Sequence, residues 1–353
     1  MDLQSLRKFD SQDMLGNING FYGQLEQGLE IGHNTRLPDI DTGSIRNIVL
    51  AGMGGSAIGG DLLRSFLGKE LKIPFTIHRN YDVPGTVNKN TLLICSSYSG
   101  GTEETLSAFD SGVKAGCTIL CITTGGKLAD KARVNNATVI TIPGGMMPRA
   151  ALGYSFTPLL TVFGRLGLCR DYSNDITACA ARLKSWSDDY QFDKENNIAY
   201  DIATKLAEKL IIIYSGPDYF DTVALRIKGQ ISENAKQHAF CNVFPEFNHN
   251  ELVGWELTPN FVGNFTVLTI RDKDDHVQVA KRMDIVKKII EEKEIEVIEI
   301  RTKGESLLER IFSLIQLGDY ISYYLALINE VDPTPIKMID YMKSKLADNQ
   351  ETR

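Results

Sequence analysis

Hydrophobic residues along the chain fall into two alternating patterns, short unbroken apolar runs and longer amphipathic stretches. The short runs are typical of buried strands, and the amphipathic stretches repeat at the spacing of a helix. Strands that alternate with helices indicate a parallel sheet covered by helices on both faces. We predict strands at 45–51, 74–78, 91–95, 118–123, 138–142, 210–214, 239–244, 265–271 and 296–301.

The amphipathic stretches predict helices between these strands and toward both ends of the chain. One begins in the glycine loop after the first strand and runs to about residue 67, and the others span 13–31, 105–115, 148–168, 174–190, 196–208, 219–237, 275–293, 306–328 and a last segment that ends near 347. The pattern of the first half recurs in the second half, with a helical connection near 170–200. Since 353 residues also suit more than one core, we predict two α/β domains.

Composition and charge exclude some partners. The formal net charge is −7 and the pI is near 5.4, which argues against non-specific binding to nucleic acid or to an anionic membrane surface. A single anionic metabolite remains possible, because one local positive site is enough to bind it. We find no long apolar run and no signal peptide, so we expect a cytoplasmic protein that binds neither nucleic acid nor membrane.

Cysteine and histidine spacing gives no sign of a metal site. The six cysteines include no C-x-x-C pair, and the five histidines show no H-E-x-x-H or similar spacing. Several cysteines lie in apolar runs, which favours core thiols over metal ligands or disulfides. We therefore expect no metal and no other cofactor.

Two loops rich in glycine and hydroxyl side chains follow predicted strands, at 52–61 and at 96–105. Loop glycines allow close approach of the backbone, and the first N–H groups of the following helix favour an anion such as phosphate. Glu103 and Glu104 leave another interpretation open, since acidic residues in a first turn also help a helix begin.

The first loop also fits the dinucleotide pattern G-x-G-x-x-A at Gly52 to Ala57. The full fingerprint requires an acid after the next strand, but that strand ends in His78-Arg79-Asn80. Arg79 could meet the 2′-phosphate of NADP, so this alternative stays open. Two such loops at the carboxyl ends of two strands suit a sugar phosphate better than a dinucleotide.

A cluster of polar residues in the second half contains Glu233 at a helix end and His249 in a loop of Asn and Glu. A carboxylate and an imidazole together can move protons on carbon and oxygen near neutral pH. From the pattern alone, Glu233 could equally be a solvated helix end, and His249 could be an ordinary loop residue.

Six motifs occur in an order that resembles the bifunctional phosphoglucose/phosphomannose isomerases, in the sugar-isomerase (SIS) branch of the phosphoglucose isomerase superfamily. The resemblance covers about 48–343. The motifs are Gly52-Met53-Gly54-Gly55-Ser56, Ser97-Tyr98-Ser99-Gly100-Gly101-Thr102-Glu103-Glu104-Thr105, Pro148-Arg149-Ala150-Ala151-Leu152-Gly153, Ser232-Glu233-Asn234-Ala235-Lys236, Glu246-Phe247-Asn248-His249-Asn250-Glu251 and Asp332-Pro333-Thr334-Pro335.

The resemblance implies two SIS domains, each a parallel five-stranded sheet flanked by helices in a flavodoxin-like αβα sandwich. The first, at 1–170, would carry the phosphate-binding loop, and the second, at 171–353, would carry the catalytic residues and a C-terminal helix. It implies interconversion of glucose 6-phosphate and mannose 6-phosphate with fructose 6-phosphate through a cis-enediol, without a metal or cofactor.

Substrate-binding residues are also implied by the resemblance. Ser97, Ser99 and Thr102 would hold the phosphate, and Gly55 and Ser56 would line the sugar.

Catalytic roles follow from the same motifs. Arg149 would lie beside the reacting carbons, and Glu233 would be the base. His249 would act in ring opening from the neighbouring subunit of a homodimer. Lys343 would assist ring opening, with Lys337 as the alternative.

One residue departs from the family pattern, because the family usually has asparagine where this chain has Gly101. The glycine either loosens the phosphate loop or supplies another close backbone N–H. Two rival functions also stay open, an SIS isomerase of another sugar phosphate and a non-catalytic sugar-phosphate-binding regulator. Glu233 together with His249 argues against the regulator, since binding alone does not need a carboxylate beside an anionic ligand.

Overall fold

The structure is a computed structural model that describes residues 3–38, 40–257 and 262–348. Its first half contains a five-stranded parallel sheet in the order β2-β1-β3-β4-β5. The strands are β1 (Asn47–Gly52), β2 (Phe75–His78), β3 (Thr91–Ser96), β4 (Thr118–Thr123) and β5 (Thr138–Thr141). These bounds confirm the predicted strands to within two residues.

The strand order reverses between β1 and β3, because β2 lies on one side of β1 and β3, β4 and β5 lie on the other. Gly52, the last residue of β1, pairs with Ser96, the last residue of β3. The two glycine and hydroxyl loops therefore begin side by side. A crevice at this position, outside the carboxyl ends of the strands, is where open α/β sheets bind ligands.

The second half repeats this arrangement with one strand fewer. Within the described residues its parallel sheet has the order β7-β6-β8-β9, formed by β6 (Leu210–Ser215), β7 (Ala239–Val243), β8 (Phe265–Arg271) and β9 (Glu296–Arg301). The expectation of two parallel sheets flanked by helices is confirmed, but where five strands were expected in each, the described part of the second sheet has four. After β9 the chain enters a long helix almost at once, because Ser306 and Glu309 form a capping box that starts it.

The described residues form twelve α-helices at the sheet faces and between the halves. They are α1 (Met14–Asn19), α2 (Phe21–Asn34), α3 (Gly54–Leu67), α4 (Glu103–Lys114), α5 (Gly126–Val134), α6 (Leu152–Arg165), α7 (Ser173–Ser187), α8 (Ile198–Leu206), α9 (Phe220–Asn234), α10 (Val277–Glu291), α11 (Leu307–Ile328) and α12 (Lys337–Asp348). Two predicted helices are divided. Gly20 separates α1 from α2, and the segment predicted at 148–168 begins with a separate 3₁₀ turn at Pro148–Ala150 before α6.

The core is continuous between the halves. Phe312 of α11 stacks on Phe21 of α2, with ring centroids 5.8 Å apart, and also contacts Phe156 of α6 at 5.1 Å. By length and composition α11 could cross a membrane, but 94% of its most apolar window is buried inside the protein. Its hydrophobicity is therefore that of a core helix. The domain boundary between 170 and 171 stays a prediction.

Helices α2 and α6 approach closely because α2 carries glycines on its contact face. A Cβ added to Gly32 would lie 2.5 Å from Thr161 Cβ and 3.1 Å from the Pro158 carbonyl oxygen of α6. A Cβ added to Gly23, on the same helix, would have no atom within 4 Å. The two glycines thus differ in contact but share a helical environment.

We expect Gly32→Ala to lower the free energy of unfolding by about 1–3 kcal/mol, because the methyl group forces the two helices apart. Gly23→Ala should raise it by about 0.5–1 kcal/mol through helix propensity alone. Urea unfolding of both variants measures the difference. Equal effects of the two substitutions would show that helix packing at Gly32 is not close.

Candidate active site

A cleft of about 180 Å³ lies between the amino end of α3 and the carboxyl half of α9, where the two halves meet. Three of the residues assigned by resemblance, Gly55, Arg149 and Glu233, line it. The lining is Gly54, Gly55, Ile58, Arg79, Arg149, Leu225, Arg226, Lys228, Gly229, Gln230 and Glu233. The cleft therefore draws its residues from both halves of the chain.

A larger hollow of about 540 Å³ lies elsewhere, between Asp193 and Lys303. It is open to solvent, and Asp189, Asp193 and Glu195 contribute carboxylates to its lining. Carboxylates repel an anionic ligand, and none of the proposed site residues lines this hollow. The chemistry of the chain thus favours the smaller cleft.

Arg149 joins three segments of the chain through its guanidinium, which is buried with 3% of the residue exposed. Its Nε donates to Asn234 Oδ1 at 2.7 Å, and its Nη1 donates to Glu233 Oε2 at 3.3 Å. Its Nη2 donates to the backbone carbonyls of Pro333 and Thr334, both at 2.7 Å. The 3₁₀ turn before α6, the end of α9 and the turn before α12 therefore meet at this one side chain.

The surroundings of Arg149 leave it charged and partly available. Burial lowers the pKa of Arg149, and the neighbouring Glu233 opposes that shift. An arginine nonetheless remains cationic in proteins. Within the described residues, four of the five N–H donors of the guanidinium are used, and one on Nη1 remains for a ligand. The Glu233 side chain is 32% exposed, so its carboxylate is accessible from the cleft.

A buried polar network fixes α9 against α11. Asp319 of α11 accepts hydrogen bonds from Arg226 Nη2 at 2.9 and 3.0 Å and from Gln230 Nε2 at 2.7 Å. Burial raises the pKa of the Asp319 carboxyl, and Arg226 and Gln230 oppose that shift. Arg226 Nη2 also donates to the backbone carbonyl of Arg149 at 3.0 Å. Because removal of one partner would leave a buried charge, this network holds the helix that carries Glu233 rigidly in place.

The loop after β3 is organised by its own hydroxyl groups. Ser97 Oγ donates to Thr102 Oγ1 at 2.9 Å, and the N–H of Gly101 donates to Ser99 Oγ at 3.3 Å. Thr102 precedes α4 without a side-chain cap on that helix. These contacts hold the three hydroxyl groups in the loop that leads into the amino end of α4.

Two glycines of this loop have different requirements. Gly100 has φ +68°, and a Cβ there would lie 1.9 Å from the Gly125 carbonyl oxygen, so only glycine fits. A Cβ at Gly101 would meet only Ser99 Oγ, at 3.8 Å, without a left-handed φ. The backbone at this position therefore has space for the Cβ of another residue, such as the asparagine expected from the resemblance.

Direct contacts connect the loop after β3 to Arg149. The N–H of Tyr98 donates to Ser56 Oγ at 3.0 Å, and Ser56 lies in the first turn of α3. The adjacent Gly55 lies against the 3₁₀ turn, because a Cβ there would be 2.8 Å from the Pro148 carbonyl. A ligand anchored at the loop would therefore extend over Ser56 and Gly55 toward Arg149.

His249 lies outside this cleft. It ends a 3₁₀ helix at Glu246–His249 and is exposed, whereas its neighbour Phe247 is buried and stacks on Tyr214 with centroids 4.1 Å apart. Glu251 accepts a hydrogen bond from Tyr214 Oη at 2.6 Å. The segment is thus firmly attached to the second sheet and presents His249 outward.

Lys343 and Lys337 also lie outside the cleft, on exposed positions of α12. Arg79, which the NADP alternative required, is paired with the buried Asp61 of α3. That pairing uses part of the guanidinium, whose partly exposed side chain also lines the cleft. One chain therefore assembles Gly55, Arg149 and Glu233 in one cleft.

The corresponding edge of the second sheet carries acidic side chains. The loop after β8 occupies the position that the serine-rich loop occupies after β3, and it contains Asp272, Asp274 and Asp275. Asp272 accepts hydrogen bonds from Arg310 Nε at 2.9 Å and from Thr302 Oγ1 at 2.7 Å. Charged side chains of the protein itself occupy this edge and pair with one another, so we expect the anion site at the first sheet.

Sequence reasoning missed several residues that build the site. Asn234 and the carbonyls of Pro333 and Thr334 bind Arg149, and the Arg226–Asp319 ion pair supports α9. Asn234 and the 332–335 turn occur in the quoted motifs, but no pattern in a single sequence pairs them with Arg149. For Arg226, the available sequence signal was the position of a charged residue on the apolar face of a predicted helix.

Comparisons with known proteins agree with the fold and the motifs. Residues 195–346 match the family described as bacterial phospho-glucose isomerase C-terminal SIS domain. The chain is 45% identical over 337 residues to a protein of Caldicellulosiruptor bescii named bifunctional phosphoglucose/phosphomannose isomerase, covering 95% of this chain and 99% of that one. It is 30% identical over 241 residues to a D-glucosamine-6-phosphate 4-epimerase of Sulfolobus acidocaldarius, covering 67% and 72%.

A solved structure shares the whole fold. A hypothetical protein of Thermus thermophilus superposes with a TM-score of 0.75 at 13% identity, covering 99% of this chain and 94% of that one. The match of 45% identity, by contrast, extends over nearly all of both proteins. At 95% coverage it includes most of both halves of the chain. The chain belongs to the bifunctional phosphoglucose/phosphomannose isomerase family.

Proposed function

We propose that the protein interconverts glucose 6-phosphate and mannose 6-phosphate with fructose 6-phosphate. The observation that carries this proposal is the pairing of Glu233 with Arg149, 3.3 Å apart, in a cleft beside two glycine and hydroxyl loops. The carboxylate is a base that can reach a ligand, and the guanidinium is a fixed positive charge beside it. Family membership supports the same reaction.

The phosphate of the substrate would bind at the loop after β3. Ser97, Ser99 and Thr102 supply hydroxyl groups, and the amino end of α4 supplies backbone N–H groups and a favourable dipole. The sugar would then extend over Ser56 and Gly55, and the lack of a side chain on Gly55 lets the turn that carries Arg149 come close. This placement directs C1 and C2 toward Glu233 and Arg149.

Isomerisation then requires one carboxylate and one cation. Glu233 removes the proton from C2 of the aldose, the C–H electrons form the C1=C2 bond of the enediol, and the carbonyl oxygen on C1 is protonated. Return of a proton to C1, with loss of the O2 proton, gives the ketose. The remaining N–H of Arg149 stabilises the negative charge that develops on oxygen. Since a proton can return to either face of C2, one site can serve both glucose and mannose epimers.

Ring opening precedes this chemistry, and we propose that it uses His249 of a neighbouring subunit and Lys343. Two features support a homodimer. The segment that carries His249 is rigidly attached yet directs the imidazole away from its own cleft. Helix α12 exposes Met338, Tyr341 and Met342, an apolar surface that a second subunit could cover. We place the protein in the cytoplasm, where its hexose phosphates occur.

The first experiment is a coupled assay of the purified protein with each aldose phosphate, read as fructose 6-phosphate. We expect turnover of both, unchanged by a metal chelator, because the proposed chemistry uses only side chains. Glucosamine 6-phosphate serves as the comparison substrate. Its conversion without turnover of the hexose phosphates would favour the amino-sugar alternative, and binding without turnover would favour a regulator.

We expect Glu233→Gln to lower kcat by ~10²–10⁴-fold with little change in KM, because the amide cannot accept the carbon-bound proton. The matched control is Glu292→Gln, at an exposed position where α10 ends, which should leave kcat unchanged. Steady-state kinetics with both aldoses measures the effect. Turnover of Glu233→Gln near the wild-type value would remove Glu233 as the base.

Subunit mixing tests the role of His249. Glu233→Gln and His249→Ala should each be inactive alone, but a refolded equal mixture should regain about a quarter of the wild-type activity, since half the dimers contain one intact site. The control mixture joins Glu233→Gln with Arg149→Ala. Those two residues meet within one chain, so no mixed dimer has an intact site. Equal recovery in both mixtures, or none in either, would contradict a shared site.

A further inference from the structure

We propose that Lys236 is a positioning residue of this isomerase, whose ammonium joins the end of α9, which carries Glu233, to the turn that holds Arg149. The inference rests on the proposed function. It concerns a side chain that does not line the cleft and that the reaction described above does not use.

The backbone of Lys236 has an unusual conformation. The residue lies two positions beyond Asn234, the last residue of α9, and has φ +57°, a left-handed value for which glycine is the common choice after a helix. This conformation lets the side chain fold back over the helix end. Its Nζ donates to the carbonyl of Glu233 at 2.6 Å and to that of Asn234 at 3.3 Å.

The same ammonium reaches the turn before α12. Lys236 Nζ donates to the Pro333 carbonyl at 3.3 Å, and Arg149 Nη2 donates to that carbonyl at 2.7 Å. Asn234 is likewise bound twice, through its side chain by Arg149 and through its carbonyl by Lys236. Two cations therefore bracket the carboxyl end of α9, where the helix dipole favours positive charge. Loss of the second cation would loosen Glu233 relative to Arg149.

The charges around Lys236 make this contact sensitive to pH. Burial of the ammonium and the nearby Arg149 lower the pKa of Lys236 to about 8, against the opposing effects of Asp332 and Glu233. Above that pH the neutral amine has one N–H fewer and no charge, so its three carbonyl contacts weaken. We therefore expect kcat to fall as the pH rises through about 8.

The contribution of Lys236 to the free energy of unfolding should rise over the same pH range in which kcat falls. The pKa of Lys236 is lower in the folded protein than in the unfolded chain, so the unfolded chain holds more protons above pH 8. The contribution of this group to the free energy of unfolding therefore rises with pH while turnover declines. A lysine that only stabilised the fold would not produce this divergence.

The test compares wild type, Lys236→Arg and Lys236→Met from about pH 6.5 to about pH 10. The guanidinium stays charged, so Lys236→Arg should move the loss of kcat to higher pH. Lys236→Met should lower kcat about tenfold at neutral pH, as expected for a misplaced catalytic group, with KM within about twofold and no loss of kcat centred near pH 8. Lys288→Met, at an exposed lysine in the last turn of α10, should match wild type.

Two outcomes overturn the inference while leaving the proposed function intact. They are an unchanged kcat in Lys236→Met and a loss of kcat at the same pH in all three proteins. Thermal melts show which variants are folded, and Lys236→Arg keeps the test valid if the methionine variant is not. Wild-type protein inactive on both hexose phosphates at neutral pH overturns the proposed function and the inference with it.

Discussion

The candidate site depends on the burial of one guanidinium. Arg149 comes from the first half of the chain, yet its partners Glu233, Asn234, Pro333 and Thr334 all come from the second half. A buried arginine is tolerated only when its donors are paired, so the two halves must meet in one arrangement to satisfy it. The same arrangement places a carboxylate beside a cation in the cleft. The contacts that pair the buried guanidinium therefore also build the proposed catalytic pair.

The two sheets share a strand order but present different side chains at the carboxyl ends of their strands. The first sheet presents hydroxyl groups and uncapped helix ends at its point of reversal, which suits a phosphate. The second presents aspartates that its own Arg310 neutralises, and instead contributes the helix end that carries Glu233. In the proposed function, phosphate binding and proton transfer therefore come from different halves. Substrate would be held by one half while the other half reacts with it.

Local sequence patterns, which involve residues close together in the chain, predicted the fold well. Every sheet strand of the described residues follows from an apolar run, because burial on both faces of a parallel sheet requires one. The structure differs from the predicted elements where contacts between distant residues outweigh the local sequence pattern. The segment after Met147 is divided into a 3₁₀ turn that carries Arg149 and the helix α6. Among the described residues the second sheet has four strands, because the capping box at Ser306 starts α11 shortly after β9. His249 and Lys343 remain predictions, since their proposed partners lie beyond one chain's cleft.

The sequence by itself determined the two-sheet α/β class and, through its six motifs, the family. These follow from residue types at short spacing, where periodicity and loop chemistry act locally. Tertiary structure alone decided that Arg149 pairs with Glu233, that Asp319 and Arg226 support α9, and that Lys236 and Arg149 share the Pro333 carbonyl. These contacts join residues that lie between 84 and 184 positions apart in the chain. Only the packing of the two halves selects them, because each side chain has many polar partners available in the unfolded chain.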